Sequence, residues 1–348
     1  MKKLNPEKKA VLFEGTVIPA HPLALDDDGK LDEAGQRLLT RYYMAAGAGG
    51  FAVGVHTTQF AIRDPKINLY QKVLKLASEE VSASNHSRPF LKIAGVSGDT
   101  KATIKETTLA ADLGYDMALL SVNGLGNWTN ETLLERAKEV SQILPIFGFY
   151  LQPAVGGKLL DYNFWKDFAE IHNVLAIKIA PFNRYQTLDV VRAVCESSRC
   201  DEIALYTGND DNIVADLLTA FEFKVNDKMK SKSIVGGLLG HWAVWTKKAV
   251  ELLDEIKQIR KSGDQIPSQL LTKGIAVTDS NAAFFDAANN FKGCIAGIHE
   301  VLRRQGLMKN IRCLDPEEGL SPGQAEEINR VYESYPDLND DDFLSRVI

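Results

Sequence analysis

Short apolar runs rich in β-branched and aromatic residues alternate along this chain with longer stretches of helical period. That alternation is the signature of βαβ units feeding a parallel sheet. The runs fall at 11–19 (VLFEGTVIP), 50–55, 90–96, 116–122, 146–151, 174–180, 202–207 and 233–238. Helical patterns occupy 32–47, 65–84, 100–113, 130–143, 162–171, 185–198, 210–220 and 242–260, with Thr100, Thr129 and Asn209 placed as N-caps. Several runs, LKIAGV and VLAIKIA among them, are apolar at consecutive positions, as in strands covered by helices on one side and packed side chains on the other. Eight such units in one series predict an α/β fold of the (β/α)8 TIM-barrel class. No G-x-G-x-x-G opens a helix after the first run and no P-loop pattern occurs, so dinucleotide and phosphate-loop binding lack their marks. Past the eighth unit the pattern turns helical, which predicts a barrel over 1–260 and a helical C-terminal extension over 261–348 packed on it. In the acidic tail, Phe343, Leu344, Val347 and Ile348 are available to dock on the barrel or on a neighbouring subunit.

Composition narrows the partners. With 45% hydrophobic and 25% charged residues the chain can bury a large core, and a net charge of -6 argues against a nucleic-acid binder. Four irregularly spaced cysteines give neither a disulfide framework nor a zinc pattern, so reduced, buried thiols are expected. The apolar run 10–13 stops at Glu14, too short for a signal peptide, and nothing approaches the roughly 18 apolar residues of a membrane span. These features predict a cytoplasmic protein with a small-molecule partner and no membrane or nucleic-acid partner.

In a barrel the chemistry sits at the C-terminal ends of the strands. Lys178 in NVLAIKIAP is a lysine in an otherwise apolar strand, sharing its face with Ala176 and Ala180. Such a lysine is either salt-bridged inside the barrel or has its charge suppressed, leaving a nucleophilic amine, and the segment alone leaves both open. Tyr150, at the end of IFGFYLQPAVGG, is either a proton carrier or a core aromatic with its hydroxyl tied off. The loop Gly54 to Phe60 offers backbone amides and hydroxyls to a carboxylate, or is simply a capped turn. No His and carboxylate cluster has ligand spacing, so neither a metal nor a cofactor is expected.

Taken together, GTVIPAHPL, GVHTTQF, KIAGVSGDT, YLQP, AIK, YTGNDD and IVGGLLG resemble the dihydrodipicolinate synthase / N-acetylneuraminate lyase family, in order from about residue 12 to about 308. The resemblance implies a class I aldolase-type lyase that binds a 2-oxo acid, pyruvate or a 2-oxo-3-deoxy sugar acid, as a Schiff base on Lys178, with Tyr150 as proton shuttle. It implies that Thr57 and Thr58 hold the substrate carboxylate, and that Gly208, Gly236 and Gly237 line the site. It also implies a homo-oligomer, a tetramer or dimer. This sequence departs from the pattern in three places. Val155 stands where the synthases carry an arginine, Gly124 and Leu125 where they carry a tyrosine pair, and His56, a candidate substrate contact, where a glycine is usual. Three alternatives stay open: a dehydratase, decarboxylase or synthase on the same lysine, an inactive small-molecule-binding barrel, and a metal-dependent barrel aldolase.

Overall fold

The computed structural model describes residues 2–84 and 88–347. The chain begins with α1 (Pro6–Glu14), β1 (Val17–Pro19), α2 (Glu33–Ala46), β2 (Gly50–Val53), α3 (Tyr70–Ala83), β3 (Leu91–Val96), α4 (Thr100–Asp112) and β4 (Met117–Leu120). It continues with α5 (Asn130–Ser141), β5 (Ile146–Leu151), α6 (Tyr162–Ala169), β6 (Val174–Ala180), α7 (Arg184–Glu196), β7 (Ala204–Thr207) and α8 (Ile213–Leu218). A hairpin, β8 (Ala220–Val225) and β9 (Lys228–Leu239), precedes α9 (Thr246–Ser262), α10 (Ser268–Phe284), α11 (Cys294–Arg304), α12 (Gln324–Ser334) and α13 (Asp341–Val347). This is the order of a (β/α)8 barrel with a helical C-terminal part.

Four sequence expectations are corrected. The run 11–19 is not one strand: its first half belongs to α1, because Pro6 stands at the first helical position and the Asn5 side chain accepts from the Glu7 and Lys8 N–H groups. Only Val17–Pro19 is extended, since a short apolar run reads alike for helix and strand. The helix expected over 210–220 is only Ile213–Leu218, after which the chain enters the β8–β9 hairpin. Asn226 and Asp227, both with positive φ (49° and 63°), form its two-residue turn. Among the expected caps, Thr129 does accept from the Thr132 N–H, but Asp99 rather than Thr100 caps α4, and Asn212 rather than Asn209 precedes α8.

The chain forms two compact units. One comprises Met1–Thr16 and Leu91–Gly237, the other Val17–Phe90 and Leu238–Ile348. In the first, the strands run parallel in the order β9, β7, β6, β5, β4, β3, and every residue of β3, β4, β5 and β7 is buried. In the second, β1 and β2 are parallel neighbours through an Ala20–Ala52 bridge, and the Ala20 N–H donates to the Leu239 carbonyl at 3.1 Å. The start of the tail is anchored there by Asp340, which accepts from the Tyr42 hydroxyl (2.6 Å), the Lys247 N–H (2.9 Å) and the Gln305 amide (2.7 Å). Leu344 is buried, whereas the Val347 side chain and Ile348 lie outside the described residues. All four cysteines are free and buried. Among the described residues no helix is long and apolar enough to cross a membrane.

Candidate active site

Register sets one row of residues across the first unit. Phe149 pairs with Lys178, Lys178 with Tyr206, and Tyr206 with Gly236. Partners in register on parallel strands point to the same side, so these four share one face of the sheet. Tyr206 is fully buried, its ring 5.2 Å from that of Phe147 and its hydroxyl donating to the Leu12 carbonyl of α1 at 2.8 Å. Gly236 is required here, because a Cβ would stand 2.5 Å from the Thr16 carbonyl oxygen and 2.7 Å from the Tyr206 ring. The Gly237 N–H donates to the same Thr16 carbonyl at 3.2 Å. Both glycines therefore serve the closure of β9 against the segment after α1.

Lys178 is only 7% exposed, and its ammonium has neither a hydrogen bond nor an ion pair among the described residues. The Phe149 ring lies beneath it, 4.3 Å from Nζ to centroid. A cation over an aromatic face gains about 0.5–2 kcal/mol, against a cost of several kcal/mol for desolvating an ion. The charged form is thus disfavoured. Burial lowers the Lys178 pKa from 10.5 to about 8, against the opposing charge of Asp210. The stem is held by Gly208, where a Cβ would fall 2.5 Å from Lys178 Cε and 2.6 Å from Ala180 Cβ. A side chain at 208 would displace the lysine.

The loop that carries Gly208 and Asp210 is fixed by a residue the sequence reading passed over. Asp216 of α8 is wholly buried, and its carboxylate accepts from the Thr207 hydroxyl (2.7 Å) and the side-chain amides of Asn209 (2.9 Å) and Asn212 (3.1 Å). Arg184 completes the set with an ion pair at 2.7 Å. Asn209 also accepts from the N–H of Phe182, a residue held at φ 52°, and donates to Thr187 at 3.1 Å. One buried carboxylate thereby ties the chain ends after β6 and β7 together. The signal was the polar run TGNDDN, of which Thr207, Asn209 and Asn212 donate to the Asp216 carboxylate.

Tyr150 is not on this face. It pairs with Ile179, the neighbour of Lys178, and so points to the α6 side. There its ring lies 5.2 Å from that of Trp165, and its hydroxyl accepts from the Leu160 N–H at 3.3 Å. Burial raises its pKa above 10. The residue on the face of Lys178 is Phe149, which has no proton to give.

In the second unit, His56, Thr57 and Thr58 form a single 3-10 turn. Both threonine hydroxyls are engaged by the fold. Thr57 donates to the Ala20 carbonyl at 2.8 Å; Thr58 donates to the His21 carbonyl at 2.6 Å and accepts from the Gly54 and Val55 N–H groups. The Thr57 N–H makes no hydrogen bond among the described residues, so the turn presents a backbone donor. His56 is half-buried, its ring 6.2 Å from that of Phe60. Behind the turn, His21 is fully buried between Thr40 (2.9 Å) and Gln36 (2.9 Å), and burial lowers its pKa to about 4, so it is neutral. The turn is stiffened further by Gln59, at φ 65°, which accepts from the Leu314 N–H at 2.6 Å.

No family model matches the chain. A stretch of 125 residues, 35% of this chain, is 33% identical to the 4-hydroxy-tetrahydrodipicolinate synthase of Caldicellulosiruptor bescii; the match spans 40% of that relative's length. Solved structures match over far more of the chain. The dihydrodipicolinate synthase of Oceanobacillus iheyensis superposes with a TM-score of 0.75 at 16% identity, covering 95% of this chain and 99% of that one. Over the 125-residue stretch the chain is similar to members of the dihydrodipicolinate synthase family, and over nearly all of its length it shares their fold. A prophage protein of E. coli K12 belonging to that family, solved in complex with pyruvate, superposes with a TM-score of 0.74 at 18% identity, covering 93% of this chain and 99% of that one. At these identities the structural likeness carries the fold, and the roles of Lys178, Tyr150 and the 56–58 turn rest on their own geometry.

Proposed function

We propose that this chain is a class I aldolase-type lyase acting on a 2-oxo acid, pyruvate or a 2-oxo-3-deoxy sugar acid, through a Schiff base on Lys178. The observation that carries the reading is a buried lysine with no ion pair among the described residues, whose pKa burial lowers to about 8. The neutral amine attacks the ketone carbon, the carbinolamine loses water, and the iminium accepts electrons when a neighbouring carbon-to-carbon bond breaks. The enamine so formed is protonated at carbon, and water hydrolyses the resulting iminium to release the 2-oxo acid and free the amine; in reverse the enamine adds to an aldehyde. Asp210, whose charge the amine feels, is the candidate to exchange protons with it. Tyr150 is assigned a supporting role on the α6 side, not proton transfer, because its hydroxyl faces Leu160. The 56–58 turn is proposed as the carboxylate holder through the Thr57 N–H, with His56 as a substrate contact. A homo-oligomer belongs to the same reading and is carried by the resemblance alone.

The test is the intact mass after incubation with pyruvate and borohydride, for wild type and for Lys178→Ala. A reduced adduct on wild type alone supports the reading. No adduct on either protein removes pyruvate as the substrate and leaves a binding protein as the better account.

A further inference from the structure

A second buried cation in the first unit also lacks a counter-ion, and it faces a cavity. Arg136 of α5 and Trp165 of α6, each 1% exposed, line a small space walled otherwise by apolar side chains, Leu120, Leu133, Phe149 and Phe164 among them. The Arg136 guanidinium is held on one side. Its Nε and Nη2 donate to the Thr103 hydroxyl at 3.1 and 2.9 Å, and Nη2 also donates to the Ser121 carbonyl at 2.9 Å. Its Nη1 has no partner, and neither does the indole Nε1 of Trp165. No carboxylate lies within ion-pairing distance of Arg136 among the described residues; Glu106 and Asp99 act on it only through longer-range charge. The guanidinium, lowered by burial to about 10, is still charged at neutral pH.

Arg136 and Trp165 are the polar side chains of this lining, and both offer only donors. The space has room for about one water-sized body. A water molecule could accept from both groups but would turn its own two protons toward hydrocarbon, and it would leave the cation uncompensated. A monatomic anion accepts from both donors and neutralises the charge. We infer that this cavity is a halide site in which chloride is held by the Nη1–H of Arg136 and the Nε1–H of Trp165. The ion pins α5 to α6 behind β4 and β5. It does not depend on the aldolase reading.

Crystals grown in sodium bromide and measured at the bromine absorption edge test this directly. An anomalous peak within hydrogen-bonding distance of Arg136 Nη1 and Trp165 Nε1 is the expected result. In solution, the melting temperature of wild type should rise by roughly 2 °C or more in sodium chloride relative to sodium sulfate of equal ionic strength. Trp165→Phe, which keeps an aromatic ring and removes the N–H, should lose most of that rise, as should Arg136→Met if it folds. Ordered water in place of the bromine peak would overturn the inference, as would a chloride-dependent rise that Trp165→Phe leaves intact.

Discussion

Two strands of the first unit each bury a lysine, and they use it differently. Lys92 is the second residue of β3, Lys178 the fifth of β6, and they are 8% and 7% exposed. Both sit in runs of similar composition, LKIAGV and VLAIKIA. Lys92 lies at the start of its strand beside Asp116, whose carboxylate accepts from the Lys92 N–H (2.8 Å) and pairs with Lys8 (2.7 Å). Its pKa is lowered by burial while the Asp116 charge pulls it back up. Lys178 lies near the end of its strand over an aromatic ring, with no partner among the described residues. Burial alone therefore does not mark a reactive lysine. What separates the two is their place along the strand, because ligands are met at the C-terminal ends of barrel strands.

The sharpest way to break this comparison is to remove each amine. Lys178→Met should abolish adduct formation with pyruvate, a loss of at least about 10³-fold in rate, while the protein still folds. Lys92→Met should form the adduct at close to the wild-type rate. Borohydride trapping followed over time reads both, and trapping that survives Lys178→Met or vanishes with Lys92→Met ends the distinction.

Next in size is the carboxylate hub. Asp216→Ala leaves four donors without their acceptor and should destabilise the protein by about 3 kcal/mol, with slower adduct formation because Gly208 and Asp210 lose their support. Urea unfolding together with trapping rates would show it. A variant that melts like wild type would mean that the network merely fills space.

Titration sharpens the comparison further. The folded Lys178 pKa, about 8, lies below the 10.5 of an unperturbed lysine, so between these values the unfolded chain binds more protons than the folded one. Lys178 penalises folding fully below pH 8, and the penalty fades as pH rises toward 10.5. Wild type should gain stability relative to Lys178→Met across that window, by at most about 3 kcal/mol. A difference that stays flat from pH 7.5 to about 10.5 would show that the amine is not desolvated in solution. The smallest effect is expected of Tyr150→Phe, which removes one long hydrogen bond to Leu160 and should cost about 1 kcal/mol or less with adduct formation preserved. Complete loss of adduct in that variant would return Tyr150 to the proton pathway.

The alternation of strands and helices, the barrel class and Lys178 itself were legible in the sequence, because period and burial are written locally in each segment. The hairpin was missed although its alternating F-E-F-K-V and K-M-K-S-K runs and its Asn-Asp turn were present. The first strand was misread because α1 and β1 share one apolar run. Family motifs located Tyr150 and the threonines but not their orientations.

What the sequence by itself determined is which segments are extended, which are helical, and that a lysine stands late in the sixth strand. Only the tertiary structure decided that Phe149 and not Tyr150 faces that lysine, that its ammonium has no ion pair among the described residues, and that Asp216 gathers the loop beside it. The reason is physical. Side-chain facing in a sheet inverts with a one-residue change of register, and a charge is left uncompensated only by the arrangement of residues distant along the chain. Neither is encoded in the residues immediately around Lys178.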